Sequence, residues 1–173
     1  KNNFYDCHLD KYEEGITEKI LSNKFNILKL ELKNLIKKIK EVNINNLDLK
    51  LAKKFPISLQ RKMVPLFVKA FNYNLSKGRV DEAIHPFSSG VCNDVRITIR
   101  YDEADPFNSI YSTIHEIGHA VYEQNINENY LYSPIGNSIS TGVHESQSRL
   151  LENQIGRSKS FCEWLFNQMK KVF

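Results

Sequence analysis

The fold class predicted by the sequence is mainly α, with a small β-hairpin or short sheet placed before a central helix. Three observations carry that prediction. Between residues 17 and 42, Leu21, Phe25, Leu28, Leu32, Leu35 and Ile39 recur at spacings of four and three, the stripe of an amphipathic helix. Phe107, Ile110, Tyr111, Ile114, Ile117 and Val121 repeat that spacing behind Asp105-Pro106. That dipeptide reads as an N-cap followed by proline at the first helical position, where the missing N–H costs nothing. Val95, Ile97, Ile99 and Tyr101 instead alternate with Arg96, Thr98 and Arg100, the period-two pattern of a strand with one apolar face.

Taken in chain order, the 17–42 helix offers a seam for packing against another helix; at about three heptads it is short for a coiled coil. Pro56 and Ser58 open a second helix expected to reach about Leu75, apolar at Leu59, Met63, Leu66, Phe67 and Ala70. Pro65 should kink it or mark its real start. The strand is expected to find its partner within Arg79 to Val91, joined through Gly90 and Asn93, and as an edge strand to be open to an extended peptide. After the helix from Pro106 comes a loop from Asn125 to Asn137, then a helix capped by Ser140 or Thr141 that returns antiparallel to its predecessor. Gly156 is expected to close that helix in a left-handed turn, and Ser160-Phe161-Cys162-Glu163 reads as a capping box for the last one.

Composition narrows the classes of function. A chain of 173 residues with 41% hydrophobic content is one domain's worth, read here as a single region, 1–173. The net charge of +4 is mild, and the densest cluster, Lys37-Lys38-Ile39-Lys40, fits a solvated helix face better than a nucleic-acid patch. No apolar run approaches the ~18 residues of a membrane span. Cys7, Cys92 and Cys162 are odd in number and far apart, which argues for a reducing, cytoplasmic setting without a disulfide framework. The chain begins with Lys1 rather than Met and ends inside an apolar-periodic helix at Lys171-Val172-Phe173, so it is expected to be a fragment of a larger protein.

His115-Glu116-Ile117-Gly118-His119 carries the chemistry. Positions four apart on a helix lie on one face, so two imidazoles can aim at a single ion. Glu116 sits about 100° further round, placed to reach a water beside the ion without ligating it. Gly118 costs helix propensity but lets another backbone approach closely. The competing account, an amphipathic helix with hydrogen-bonded core histidines, leaves the glutamate and the pairing unexplained. A hydrolytic zinc site takes three protein ligands and keeps a fourth position for water. On geometry the third is Glu145, with His144 and Glu152 as alternatives; His144 points about 100° away from Glu145 and suits a supporting or substrate-facing role. Zinc is the expected ion and cobalt a substitute, since two imidazoles and a carboxylate accept several metals. Arg96 is expected either to pair with Asp94 or Glu103 or to contact a substrate carboxylate.

Four blocks in order, His85-Pro86-Phe87, Asp94-Val95-Arg96-Ile97-Thr98, the His115–His119 motif, and His144-Glu145-Ser146-Gln147-Ser148-Arg149, resemble the carboxypeptidase Taq family of zinc metallocarboxypeptidases. Tyr122-Glu123-Gln124, Pro134-Ile135-Gly136, Glu152-Asn153, Tyr5-Asp6 and Leu9-Asp10-Lys11-Tyr12-Glu13 look similar too. The resemblance implies a zincin-like helical metallopeptidase portion with its catalytic core within 79–156. It implies that His115, His119 and Glu145 bind the metal, that Glu116 is catalytic, and that His85 lies near the site; the sequence alone makes His85 an ordinary turn residue. The implied substrates are peptides with a free C-terminus, and the implied assembly a homodimer. Family members are several hundred residues long, and the arginine–proline motif associated with gripping the substrate carboxylate is absent from this chain. An endo- or oligopeptidase, or an inactive metal-binding fragment, is the alternative function.

Overall fold

The protein is described from a computed structural model covering residues 3–42 and 54–173. Its chain forms two compact units, one within residues 1–50 and one within 51–173. The first holds helices α1 (Phe4–Tyr12) and α2 (Glu18–Glu41). Buried Asp6 ties them together, because its carboxylate accepts the backbone N–H of Glu18 at 2.8 Å, in the first turn of α2. The Tyr5-Asp6 block is thus a helix-to-helix tie. The helix expected over 17–42 is present, with Thr17 as its cap. Its expected packing seam is not: no residue of α2 is buried, and Phe25, Leu28, Leu32 and Ile39 are exposed. Periodicity fixes which side chains share a face, not what covers the face.

The second unit supports the chemistry. Helix α3 (Ile57–Ala70) passes through Pro65 and stops at Ala70, short of the expected Leu75. Asn72 takes a left-handed φ of 57° just beyond, a conformation that ends helices. Strands β1 (Gly78–Glu82), β2 (Phe87–Val91) and β3 (Asp94–Ile99) form a sheet in the order β1-β3-β2. The expected hairpin is β2–β3, antiparallel with Ser88 opposite Ile97. Gly90 in it has φ 147°, and a Cβ there would sit 2.1 Å from Asp94 O, so no side chain fits. β1 adds a parallel pairing, Val80 opposite Ile97. β3 is therefore the central strand, and its expected role as an open edge is corrected: both its sides are already paired.

Helix α4 (Pro106–Gln124) lies against this sheet, starting where expected; Asp105 accepts the Asn108 N–H at 3.0 Å. Val95 and Ile97 of β3, Ile110, Ile114, Ile117 and Ala120 of α4, Met63 and Phe67 of α3, and Leu165 form one buried core. Gln124 fastens the end of α4, exchanging hydrogen bonds with the backbone N–H and C=O of Asn74, both at 2.9 Å. Helix α5 (Thr141–Arg149) is capped by Ser140, as expected, and runs into a wider π-helical turn, Leu150–Ile155. Gly156 keeps a right-handed φ of −64°, not the expected left-handed turn, because the π turn carries the chain on without reversing it. The last helix, α6 (Lys159–Val172), starts earlier than the expected capping box, with Ser158 accepting the Phe161 N–H. Among the described residues no helix is long and apolar enough to cross a membrane.

Candidate metal centre

α4 and α5 meet at Gly118. A Cβ on that glycine would lie 2.7 Å from Ser148 Cα and 2.9 Å from Gln147 O, so only hydrogen lets the two backbones approach this closely. The contact sets the helices antiparallel: His119 faces His144 and Glu145, while His115 faces Glu152 seven residues further along. The close approach expected of Gly118 is therefore realised, and its partner is the helix that carries Glu145.

Three atoms converge where the helices face each other. His115 Nε2 and His119 Nε2 are 3.1 Å apart, and Glu145 Oε2 lies 3.3 Å from His119 Nε2 and 3.6 Å from His115 Nε2. Ligands about 2.0–2.2 Å from a tetrahedral zinc stand about 3.3 Å from one another, so the trio has the dimensions of three corners of such a site. Among the described residues, His115, His119 and Glu145 form the one group able to hold a metal ion.

Carboxylates at the rear set the tautomers. Glu152 Oε2 is 2.9 Å from His115 Nδ1; a carboxylate only accepts, so Nδ1 carries the hydrogen and Nε2 keeps its lone pair. Glu123 Oε1 is 2.8 Å from His144 Nε2 in the same way. His144 turns its Nδ1 to His119 Nδ1 at 2.5 Å; with His144 Nδ1 accepting, His119 is the donor there and its Nε2 is free. In that tautomer set both inward-facing nitrogens are lone pairs. Burial, with His144 and His115 alongside, pushes His119 down to about 4, so its ring is neutral at physiological pH.

Glu116 is 7% exposed and sits outside the trio. Burial raises it to about 7, with His115 lowering it and Glu145 raising it further. For Glu145 and Glu152 burial also opposes the charge, but hydrogen bonds from Arg149 to the first and from His115 and Arg157 to the second bring both below the ordinary carboxylate value.

The remaining sequence-derived residues divide. His144 supports His119 and stacks edge-on to Tyr122 at 5.3 Å. Glu152, the other alternative ligand, stands behind His115. Arg96 makes a two-point pair with Asp94, at 2.9 and 2.8 Å, which is the structural option; Glu103 is instead engaged near the Ile57 N–H. His85 is exposed in the turn between β1 and β2, its carbonyl accepting from Thr98 Oγ1 at 3.2 Å, so this block and the Asp94–Thr98 block are stitched to each other. Sequence reasoning quoted Glu123 and Arg149 within its similar blocks but gave neither a role. Each stands four residues beyond a residue of the site, His119 and Glu145 respectively, and that spacing was the available signal.

Comparison with known proteins identifies the family. A family model described as Carboxypeptidase Taq (M32) metallopeptidase matches residues 1–173. The chain is 40% identical over 170 residues to Carboxypeptidase 1 of Bacillus subtilis, covering 97% of this chain and 34% of that protein. It is 41% identical over 171 residues to Thermostable carboxypeptidase 1 of Thermus thermophilus, covering 98% of this chain and 33% of that protein. The solved structure of Trypanosoma cruzi metallocarboxypeptidase 1 superposes with a TM-score of 0.90 at 35% identity, over 98% of this chain and 34% of that one. The chain thus spans about a third of the length of the curated relatives it matches.

Proposed function

The chain belongs to the carboxypeptidase Taq (M32) metallopeptidase family, and from that premise we propose that it carries the metal centre of a zinc-dependent carboxypeptidase removing single residues from peptide C-termini. The observation that carries the reading is the convergence of His115 Nε2, His119 Nε2 and Glu145 Oε2 at tetrahedral spacing. Two imidazoles and one carboxylate suit zinc and also accept cobalt.

His115 and His119 would hold the ion through Nε2 and Glu145 through Oε2. When bound, zinc supplies Lewis-acid chemistry, polarising the scissile carbonyl and making water acidic enough to ionise near neutral pH. Glu116 does the proton work: one carboxylate oxygen takes the proton of the attacking water and passes it to the departing amide nitrogen. Burial raises Glu116 to about 7 before any ion's charge acts on it. Glu152 keeps His115 in the ligating tautomer; His144, itself held by Glu123, does the same for His119. Arg96 pairs with Asp94 two residues before it on the same strand, β3.

Paired peptides test the reading, one with a free C-terminal carboxylate and one with a C-terminal amide. A carboxypeptidase cleaves the first alone; equal cleavage of both makes the protein an endopeptidase. Glu116→Gln should lower turnover by about 10²–10⁴-fold while the protein keeps its full zinc content. Wild-type turnover in that variant would remove Glu116 from the mechanism.

A further inference from the structure

Glu145, Arg149 and Glu152 stand four and three residues apart, so they share one face of the α5–π segment with the arginine between the two carboxylates. The guanidinium uses two edges. Nε donates to Glu145 Oε1 at 2.7 Å, and Nη1 donates to Glu152 Oε2 at 3.0 Å. The first bond occupies the Glu145 oxygen that faces away from the two imidazoles and leaves Oε2 toward them. The second falls on the very oxygen that accepts from His115 Nδ1 at 2.9 Å. One side chain thus touches the carboxylates behind two of the three converging atoms.

We propose that Arg149 is a positioning residue of the metal centre, acting chiefly by fixing Glu145 so that one oxygen alone faces the ion. The proposal rests on the metal-site reading above. Its weight falls unequally on the two carboxylates. Glu152 has a second anchor, since Arg157 Nη2 reaches its Oε1 at 3.2 Å and that guanidinium lies 4.2 Å from the Tyr111 ring. Glu145 has no comparable reserve among the described residues. Ser148 Oγ is 3.1 Å from Glu145 Oε2, but it is closer, at 2.7 Å, to the Glu145 backbone carbonyl, and one hydroxyl hydrogen cannot serve both fully. The Glu145 side chain is 43% exposed, so without Arg149 it can swing into solvent, and ordering it again falls on the binding step. A planar fork suits this geometry, whereas a lysine ammonium reaches one carboxylate at a time. Arg149 itself is 53% exposed, and a surface pair of this kind contributes little to folding stability. Its consequence lies in the site.

The experiment is a chelator-competition titration with Zn²⁺ of the wild-type chain, Arg149→Met, Arg149→Lys and Glu145→Ala, beside thermal melting of each metal-free form. Arg149→Met should bind zinc about 10–100-fold more weakly, with Arg149→Lys between it and wild type, while metal-free melting stays unchanged. Arg149→Gln replaces the Met variant should the latter melt early. Zinc affinity of Arg149→Met within about threefold of wild type, in a series where Glu145→Ala has lost binding, overturns the proposal and leaves the metal site standing. Wild-type affinity in Arg149→Lys also overturns it, because a point charge would then suffice and the fork would not be the cause. A wild-type chain that takes up no zinc, or Glu145→Ala binding like wild type, overturns the metal-site reading and the Arg149 role with it.

Discussion

In α4, the side chains around the two site histidines are held by the core: Ile114, Ile117, Gly118 and Ala120 are all buried. In α5 only Ser148 is buried, and Glu145 is held by hydrogen bonds from Arg149 and Ser148 at the surface. One helix places its site residues by packing, the other by charged contacts on a short segment that gives way to a π turn. Packing is dense and intolerant of lost volume, whereas a solvent-exposed ion pair is weak in stability and strong mainly in orientation. The two helices should therefore fail differently when altered: α4 by losing the fold, α5 by losing the geometry of the site.

The largest expected difference is in stability. Ile114 is 0% exposed, and Ile114→Ala should cost about 2–5 kcal/mol in urea unfolding. Val143 of α5 is 37% exposed, and Val143→Ala should stay within about 1 kcal/mol. Equal costs would erase the distinction between the helices.

Gly118→Ala probes the line where they touch. On an open helix surface the change would stabilise by up to ~1 kcal/mol. Here the new methyl would meet Ser148 Cα and Gln147 O, backbone atoms that cannot rotate away, so the net effect should be a loss of roughly 1–3 kcal/mol. Zinc affinity should fall with it, as α5 and Glu145 are pushed back. A stabilised variant with unchanged zinc binding would mean the helices are not in contact.

The last effect is a pH dependence at Glu116 of α4, read without metal. Glu116 is raised from an ordinary 4.5 to about 7, so the fold prefers its protonated form. The stability this gives is complete below pH 4.5 and is lost as pH rises through 7. Glu116→Gln lacks that loss. Between pH 4.5 and 8, in chelator, it should gain on wild type by on the order of 2 kcal/mol in urea unfolding. His119, lowered to about 4, works in the opposite sense but is present in both proteins and cancels from the difference. A pH-independent difference would mean Glu116 is well solvated.

Much of this was legible because it is local. Asp105-Pro106, the stripe from Ile110 to Ile117 and the four-residue spacing of His115 and His119 each depend on residues within a turn or two, and α4 starts and faces as they dictate. β1 was illegible as a strand in its own right: Gly78–Glu82 offers one large apolar side chain, Val80, and no alternation, and its parallel pairing with β3 depends on residues further along the chain. The π turn at Leu150–Ile155 was hidden as well, since its side chains continue a helical pattern and only its backbone hydrogen bonds differ. In α2 the stripe was read correctly as a helix, yet its exposure shows that a pattern does not name its cover.

By itself the sequence determined which side chains lie on which face of which helix, because the 3.6-residue period is a property of the local backbone. It also narrowed the third converging group to Glu145, His144 or Glu152. Choosing among them required the contact between α4 and α5 at Gly118 and Ser148, which brings Glu145 to the inner nitrogens and leaves Glu152 and His144 at the outer ones. That choice turns on which side of each imidazole a group from another segment reaches, and only the packed tertiary structure sets it.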